Sequence, residues 1–337
     1  MSRRLTWSRI LLPFALLVAL SAFLVACGGD DDDADATNTP ASTGTSDATD
    51  ETETETETET ETETPSAYAN PDLLTETDAL SARVDDDSIV VVDVRKKESY
   101  DEGHIPGAVW YDTANLKDPD ESLYVIRDTL FAEAVGEIGI DGSKHVVVYD
   151  DGNGLWATRF WWVLWYYGHD DASVLNGGWA KWQKEGLATT KDAPPVTKVS
   201  FQTNINDEVV CALDYVEEKA TSPDPNVVIL DVRSPAEYTG ADVRAAKGGH
   251  VPNAVNLDWT RSLTEAEPKV WKSAEELHEL FGSAGLKPGQ EVITYCQTGV
   301  RAAHSLFTLR LLGYESVRNF DGSWLEWGND KDTPVER

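Results

Sequence analysis

From Pro71 onward, short runs of consecutive apolar residues alternate with segments whose apolar residues return every three or four positions. Val90-Val-Val, Val146-Val-Val, Val228-Ile-Leu and the trio Val292, Ile293 and Tyr295 read as buried parallel strands. Directly after the last of these, Ala302, Leu306, Leu309 and Leu312 recur at helical spacing. Apolar strands alternating with helical segments predict an α/β fold, in which a parallel sheet carries helices on both faces. Ahead of Pro71 the pattern is different. Ile10 to Ala26 is apolar throughout except for Pro13 and Ser21, and Glu51 to Thr64 is a strict Glu-Thr alternation with no apolar residue. The second of these segments has nothing to bury and repels itself, so it is expected to stay extended.

The N-terminal residues read as an address. Arg3, Arg4 and Arg9 supply a basic start, the apolar stretch follows, and Leu24-Val-Ala-Cys27 closes it in a form that resembles a bacterial lipobox. Residues 1–26 are then a signal peptide, Cys27 the lipidated first residue of the mature chain, and residues 27–69 an acidic tether. The expected location is extracytoplasmic, lipid-anchored to a membrane of the bacterial envelope. A single transmembrane anchor is the competing interpretation, and the run is short for one.

Charge narrows the partners. The formal net charge is −32, and residues 28–66 hold 14 acids with no Lys or Arg, yet the remaining chain is still strongly acidic. Such a surface disfavours nucleic acid and anionic lipid. An anionic substrate would need positive charge gathered locally. The chain has 3 cysteines, and with Cys27 given to lipid only Cys211 and Cys296 remain, so no disulfide framework is implied. Cys211, in Val209-Val-Cys-Ala-Leu213, reads as an inert core residue. Cys296 sits between a predicted strand and a predicted helix, in Cys296-Gln-Thr-Gly-Val-Arg301. A polar, glycine-containing loop that opens a helix presents backbone N–H groups and the positive end of the helix dipole, which favour a thiolate and a bound anion.

The chain also repeats itself. Val90-Val-Val-Asp-Val-Arg95, Tyr100 and Gly103-His-Ile-Pro-Gly-Ala-Val109 return as Val228-Ile-Leu-Asp-Val-Arg233, Tyr238 and Gly249-His-Val-Pro-Asn-Ala-Val255. Val146-Val-Val-Tyr-Asp150 answers Val292-Ile-Thr-Tyr-Cys296, and Gly178-Trp-Ala-Lys-Trp182 answers Ser323-Trp-Leu-Glu-Trp327. About 265 residues allow two domains of ordinary size. The expected boundaries are 70–192 for the first half, 193–208 for a linker containing Pro194 and Pro195, and 209–337 for the second half.

The Asp-x-Arg after a strand, the Gly-His-[Ile/Val]-Pro-x-Ala-Val turn, the Cys-x4-Arg loop and the closing Asp-Gly-Ser-Trp-x-Glu-Trp resemble the tandem rhodanese family of sulfurtransferases. The resemblance implies two rhodanese-like domains, the second catalytic. Asp150 stands where Cys296 stands in the other half, and a carboxylate cannot carry a persulfide. The chemistry implied is transfer of a sulfur atom from thiosulfate to cyanide or a small thiol through a persulfide on Cys296, with no cofactor and no metal. Arg301, with Gln297, Thr298, Gly299 and Val300, is expected to bind the donor. Arg244 and Lys247 are further candidate cations, with a solvated loop as their alternative. Asp231, Arg233 and His250 are expected to brace the site.

Other readings share these residues. A phosphatase of the same fold has one more residue between Cys and Arg, whereas Gln297 to Val300 make four. A 3-mercaptopyruvate sulfurtransferase resembles its own kind in a Cys-Gly-Ser-Gly loop and an arginine after Asp-x-Arg, where this chain has Glu237. A non-enzymatic sulfur carrier or binding module needs only the cysteine.

Overall fold

A computed structural model of the chain describes residues 67–337. Cys27, the apolar leader and the Glu-Thr repeat lie outside the described residues. Among the described residues no helix is long and apolar enough to cross a membrane.

The first half contributes β1 (Leu74–Thr75), α1 (Thr77–Ser81), β2 (Ile89–Asp93), α2 (Lys97–Glu102), β3 (Val109–Trp110), α3 (Asp128–Glu137), β4 (His145–Tyr149), α4 (Leu155–Tyr166), β5 (Ala172–Leu175) and α5 (Gly178–Lys184). The second half repeats the order as β6 (Val210–Cys211), α6 (Leu213–Thr221), β7 (Val227–Asp231), α7 (Pro235–Tyr238), β8 (Val255–Asn256), α8 (Ala274–Ser283), β9 (Glu291–Tyr295), α9 (Val300–Leu311), β10 (Val317–Phe320) and α10 (Ser323–Trp327). Each half forms a five-stranded sheet, in the order β1-β5-β4-β2-β3 and β6-β10-β9-β7-β8, and every pairing is parallel. The apolar runs are the central strands, β2 and β4 in one sheet and β7 and β9 in the other. Parallel strands covered on both faces need such runs.

The two halves share a core. One cluster of buried side chains runs from Val92 and Phe160 through Trp161 to Phe307 and Leu309, while smaller clusters fill the outer face of each sheet. Trp161 on α4 meets Phe307 on α9 edge-on at 5.0 Å, and Trp271 donates its ring N–H to Thr308 at 3.0 Å. The expected linker has no regular structure before a short 3-10 turn at Asp207–Val209, but it is pinned to the first half where Val199 donates to Gly136 and Asn204 to Tyr167. The tryptophans of α4 thus serve the contact between halves. Docking α4 against α9 brings each half's strand-to-helix loop, at Asp150 and at Cys296, close to side chains of the other half.

Candidate active site

Cys296 follows directly on β9, and the preceding residue anchors it. The Tyr295 hydroxyl donates to Asp231 Oδ2 at 2.6 Å and accepts the Val251 N–H at 3.1 Å. Asp231 also takes two hydrogen bonds from Arg233, at 2.9 and 2.6 Å, and both side chains are buried. The Arg233 guanidinium lies 4.3 Å over the Trp324 ring. His250 Nδ1–H donates to the Tyr238 carbonyl at 2.9 Å, and the imidazole stacks on the Tyr238 ring at 3.6 Å. These three residues form the floor beneath the loop.

The loop runs from Cys296 to Gly299, whose φ of +77° lets it turn into α9. It is clamped to the start of α10. Trp324 N–H donates to the Cys296 carbonyl and Leu325 N–H to the Gln297 carbonyl, both at 2.9 Å. The Ser323 hydroxyl accepts the N–H groups of Cys296 at 3.1 Å and Gly299 at 3.0 Å, and donates to the Phe320 carbonyl at 2.7 Å. Ser323 holds a φ of +53°, a left-handed conformation that a non-glycine residue adopts at a cost, and here it positions that hydroxyl. The N–H groups of Gln297, Thr298 and of Val300 to Ala302 meet no acceptor among the described residues. They belong to the loop that Cys296 opens and to the first turn of α9, and Cys296 itself is only 1% exposed.

The first half shows what such a loop holds. Asp150 occupies the corresponding place after β4, and its carboxylate accepts the N–H groups of Gly152 at 2.9 Å, Gly154 at 3.0 Å, Trp156 at 3.0 Å and Ala157 at 3.4 Å. Burial pushes the Asp150 pKa up, and these four amides pull it back. The first loop is therefore filled by an anion of its own.

The two loops differ in length. Asp150 and Cys296 stand 146 positions apart, but the glycines that start the helices, Gly154 and Gly299, stand 145 apart, as do Gly178 and Ser323. The first loop is one residue longer. At Gly178 a Cβ would meet the Asp150 carbonyl at 2.6 Å, so the longer loop admits no serine there. The motif match of Gly178 with Ser323 already carried this signal.

The expected cations behave differently from the sequence reading. Arg301 does not present a free guanidinium: both terminal nitrogens bond Glu237, at 2.8 Å each. Burial would lower the Arg301 pKa, but the hydrogen bond to Glu237, the Cys296 charge and the Glu237 charge together raise it. Burial would raise that of Glu237, but the bonds and charge of Arg301, with Ser234, draw it down to about 2. Arg244 is half exposed, bonds Asp242 at 2.7 Å and reaches Glu237 at 3.6 Å. Lys247 donates to the Thr333 carbonyl and hydroxyl, at 2.6 and 2.7 Å, so it braces the C-terminal segment. The Gln297 amide donates to the Arg244 carbonyl at 3.1 Å. Opposite charges attract more strongly between buried groups than either does a dissolved ligand, which is why the nearest arginine is taken.

Three residues escaped the sequence reading. Ser323 is one. Arg159 of α4, fully buried, reaches across from the first half to the Gly299 carbonyl at 3.4 Å and to Asp321 Oδ1 at 2.5 Å. Lys117 lies 3.5 Å from the same Asp321 oxygen. Burial, then Arg159, push the Lys117 pKa down to about 8, while Asp321 and Cys296 pull it back up. No group of three metal-binding side chains occurs among the described residues. Cys211 is buried, which pushes its thiol pKa well up, so it is poorly suited to form a thiolate.

The comparisons with known proteins agree with this geometry. The Rhodanese-like domain family matches residues 76–185 and again 214–330. A thiosulfate sulfurtransferase of Pseudomonas aeruginosa is 34% identical over 274 residues, covering 80% of this chain and 99% of that protein. The sulfur carrier protein TtuD of Thermus thermophilus is 34% identical over 287 residues, covering 80% of this chain and 98% of that protein. Among solved structures, the 3-mercaptopyruvate enzyme SseA of Escherichia coli superposes with a TM-score of 0.67 at 32% identity, covering 75% of this chain and 98% of that one. With two copies of the domain, one keeping its cysteine and one keeping a carboxylate, this chain belongs to the tandem rhodanese-like sulfurtransferase family.

Proposed function

We propose that the chain is a thiosulfate sulfurtransferase acting through a persulfide on Cys296. The observation that carries this reading is the set of loop and helix-start N–H groups after Cys296 that meet no acceptor among the described residues, whose twins after Asp150 hold a carboxylate. The Cys296 thiolate attacks the outer sulfur of thiosulfate. The new bond forms as the sulfur–sulfur bond of the donor breaks, and sulfite leaves with the electron pair. Cyanide or a thiolate then attacks the outer sulfur of the persulfide, forming thiocyanate or a new persulfide and returning the Cys296 thiolate. The amides stabilise negative charge on the attacking and the persulfide sulfur alike, so no histidine base is required.

The choice of donor rests on Glu237. In mercaptopyruvate enzymes an arginine at this place binds the substrate carboxylate, whereas here a buried carboxylate stands there, already bonded to Arg301. A keto acid would bring its own carboxylate against a filled one. A lost charged contact costs a few kcal/mol, about a hundredfold in rate. Thiosulfate presents its charge next to the transferred sulfur, within reach of the amides.

The test is thiocyanate formation with cyanide as common acceptor and either donor. The expected kcat/KM is higher for thiosulfate by about a hundredfold. Equal or reversed values would overturn the donor assignment. Sulfur uptake without turnover would make the chain a carrier, the role printed in the name of its Thermus relative. We further propose that lipid on Cys27 anchors the protein outside the cytoplasm, the support being the lipobox-like Leu24-Val-Ala-Cys27. Cys27→Ser should then leave the membrane fraction, and a variant that stays there would contradict the anchor.

A further inference from the structure

The duplication lets each loop be compared with the side chains that the opposite half lays against it. Around Cys296 these are Lys117 and Arg159, which share Asp321. The corresponding positions around Asp150 are Leu263, His304 and Asn176. The first is established by the paired bridges Lys117–Val125 and Leu263–Trp271, and the others by their spacing from Gly154 and Gly299 and from Gly178 and Ser323. Asn176 accepts the Trp271 backbone N–H at 3.1 Å, and Val125, the counterpart of Trp271, lies beside Asp321. His304 is buried between Trp259 at 4.9 Å and Trp271 at 5.0 Å, and burial pushes its pKa down to about 3, so it is neutral. One architecture thus occurs twice: uncharged where the loop carries its own anion, and charged where it carries the cysteine.

The charges at the cysteine are paired unevenly. Arg301 is matched by Glu237, and Arg244 by Asp242. Lys117 and Arg159 share the single carboxylate of Asp321, whose pKa burial would raise but their charges, Arg159 first, hold down. The remaining groups near this cluster are Tyr124, which donates to Glu326 Oε1 at 2.5 Å, and Glu326 itself, whose pKa burial pushes up. The other Asp321 oxygen has no hydrogen-bond partner, nor do two Arg159 nitrogens. Two cations thus share one carboxylate oxygen beside the Gly299 turn. Lys117 is the more loosely held of the two: among the described residues its Nζ bonds the Leu123 carbonyl at 2.9 Å and Asp321 at 3.5 Å.

We propose that the half without a cysteine supplies the working cation of the other half: Lys117 offsets the negative charge on Cys296, first as thiolate and then as persulfide. This rests on the persulfide reading, and it makes the first domain part of the reaction's electrostatics as well as a scaffold. A buried ammonium near an anionic sulfur is little screened, so it favours the charged form of that sulfur. Lys117 acts through Cys296 and is a positioning residue.

The test measures iodoacetamide alkylation of Cys296 against pH in the full chain, which needs no sulfur donor and so stands apart from the activity itself. Lys117→Gln should slow alkylation near neutral pH by about tenfold and move its midpoint to higher pH. Lys117→Arg should restore the rate. In steady state with thiosulfate, KM should rise as pH passes about 8, where Lys117 gives up its proton, and Lys117→Arg should push that rise to higher pH. Wild-type alkylation and KM profiles in Lys117→Gln would overturn the proposal. So would failure of Lys117→Arg to rescue while its thermal midpoint matches wild type, since the role would then belong to the bond with the Leu123 carbonyl.

Discussion

The loop after β4 and the loop after β9 occupy the same place in two copies of one domain, yet one is closed and the other is poised. In the first, the Asp150 carboxylate folds back into its own amides. In the second, the loop is one residue shorter, Ser323 takes two of the amides, and the others meet no acceptor among the described residues. The difference shows that an anion-binding turn persists when its chemistry is gone, provided something fills it, because burying N–H groups without acceptors costs free energy. It also shows where selection of charge acts. The side chains facing the empty turn are ionised and those facing the filled turn are neutral.

The comparison breaks most sharply at the two residues that define it. Cys296→Ser should lower sulfur transfer by on the order of a thousandfold or more while leaving the fold intact, read by thiocyanate assay and circular dichroism. Asp150→Ala should do the reverse. Four N–H groups, two of them buried, lose their acceptor, at a cost of about 2–4 kcal/mol in chemical denaturation, with kcat nearly unchanged. Asp150→Cys sharpens the point further, since that thiol would face Leu263 and His304 in place of Lys117 and Arg159. It should take up no sulfur from thiosulfate by peptide mass mapping.

Smaller effects test the supports. Ser323→Ala removes the acceptor of two loop amides and should lower kcat/KM by about tenfold, since a displaced nucleophile costs on the order of 1–2 kcal/mol. Ser323→Gly also removes the hydroxyl while relieving the φ of +53°, so it should recover stability and leave the activity low. The smallest effect concerns His304. Its folded pKa, about 3, lies below the ordinary 6.5, so the unfolded chain binds the extra proton and stability is lost as pH falls through that window. Between pH 6.5 and 5.5 the loss is about 1 kcal/mol. His304→Phe should flatten that part of the profile in calorimetry, and an unchanged slope would place the acid sensitivity elsewhere.

Much of this was legible in the chain itself. The strands announced themselves as Val-rich runs because a sheet covered on both faces tolerates little else, and the duplication followed from motifs spaced alike in both halves. Cys296 stood out because a polar, glycine-containing turn is a poor setting for an inert thiol. The occupancy of Arg301 was not legible. Glu237 lies 64 positions away and meets it only after β7 and β9 pair, so an arginine read as free proves to be matched. Lys117 and Arg159 were hidden for the same reason. Each sits in an unremarkable local context and gains its meaning from docking α4 on α9. Ser323 was visible within its motif, but its hydroxyl's task depends on the shorter loop, a one-position change in spacing that the repeats contained.

The central claim is that one loop carries sulfur and its twin does not. The most direct measurement is intact-protein mass spectrometry after brief treatment with thiosulfate, followed by peptide mapping. The expected result is a mass increase of a single sulfur atom, located on Cys296 and discharged by cyanide. Sulfur on Cys211, or no uptake by a folded protein, would contradict the account.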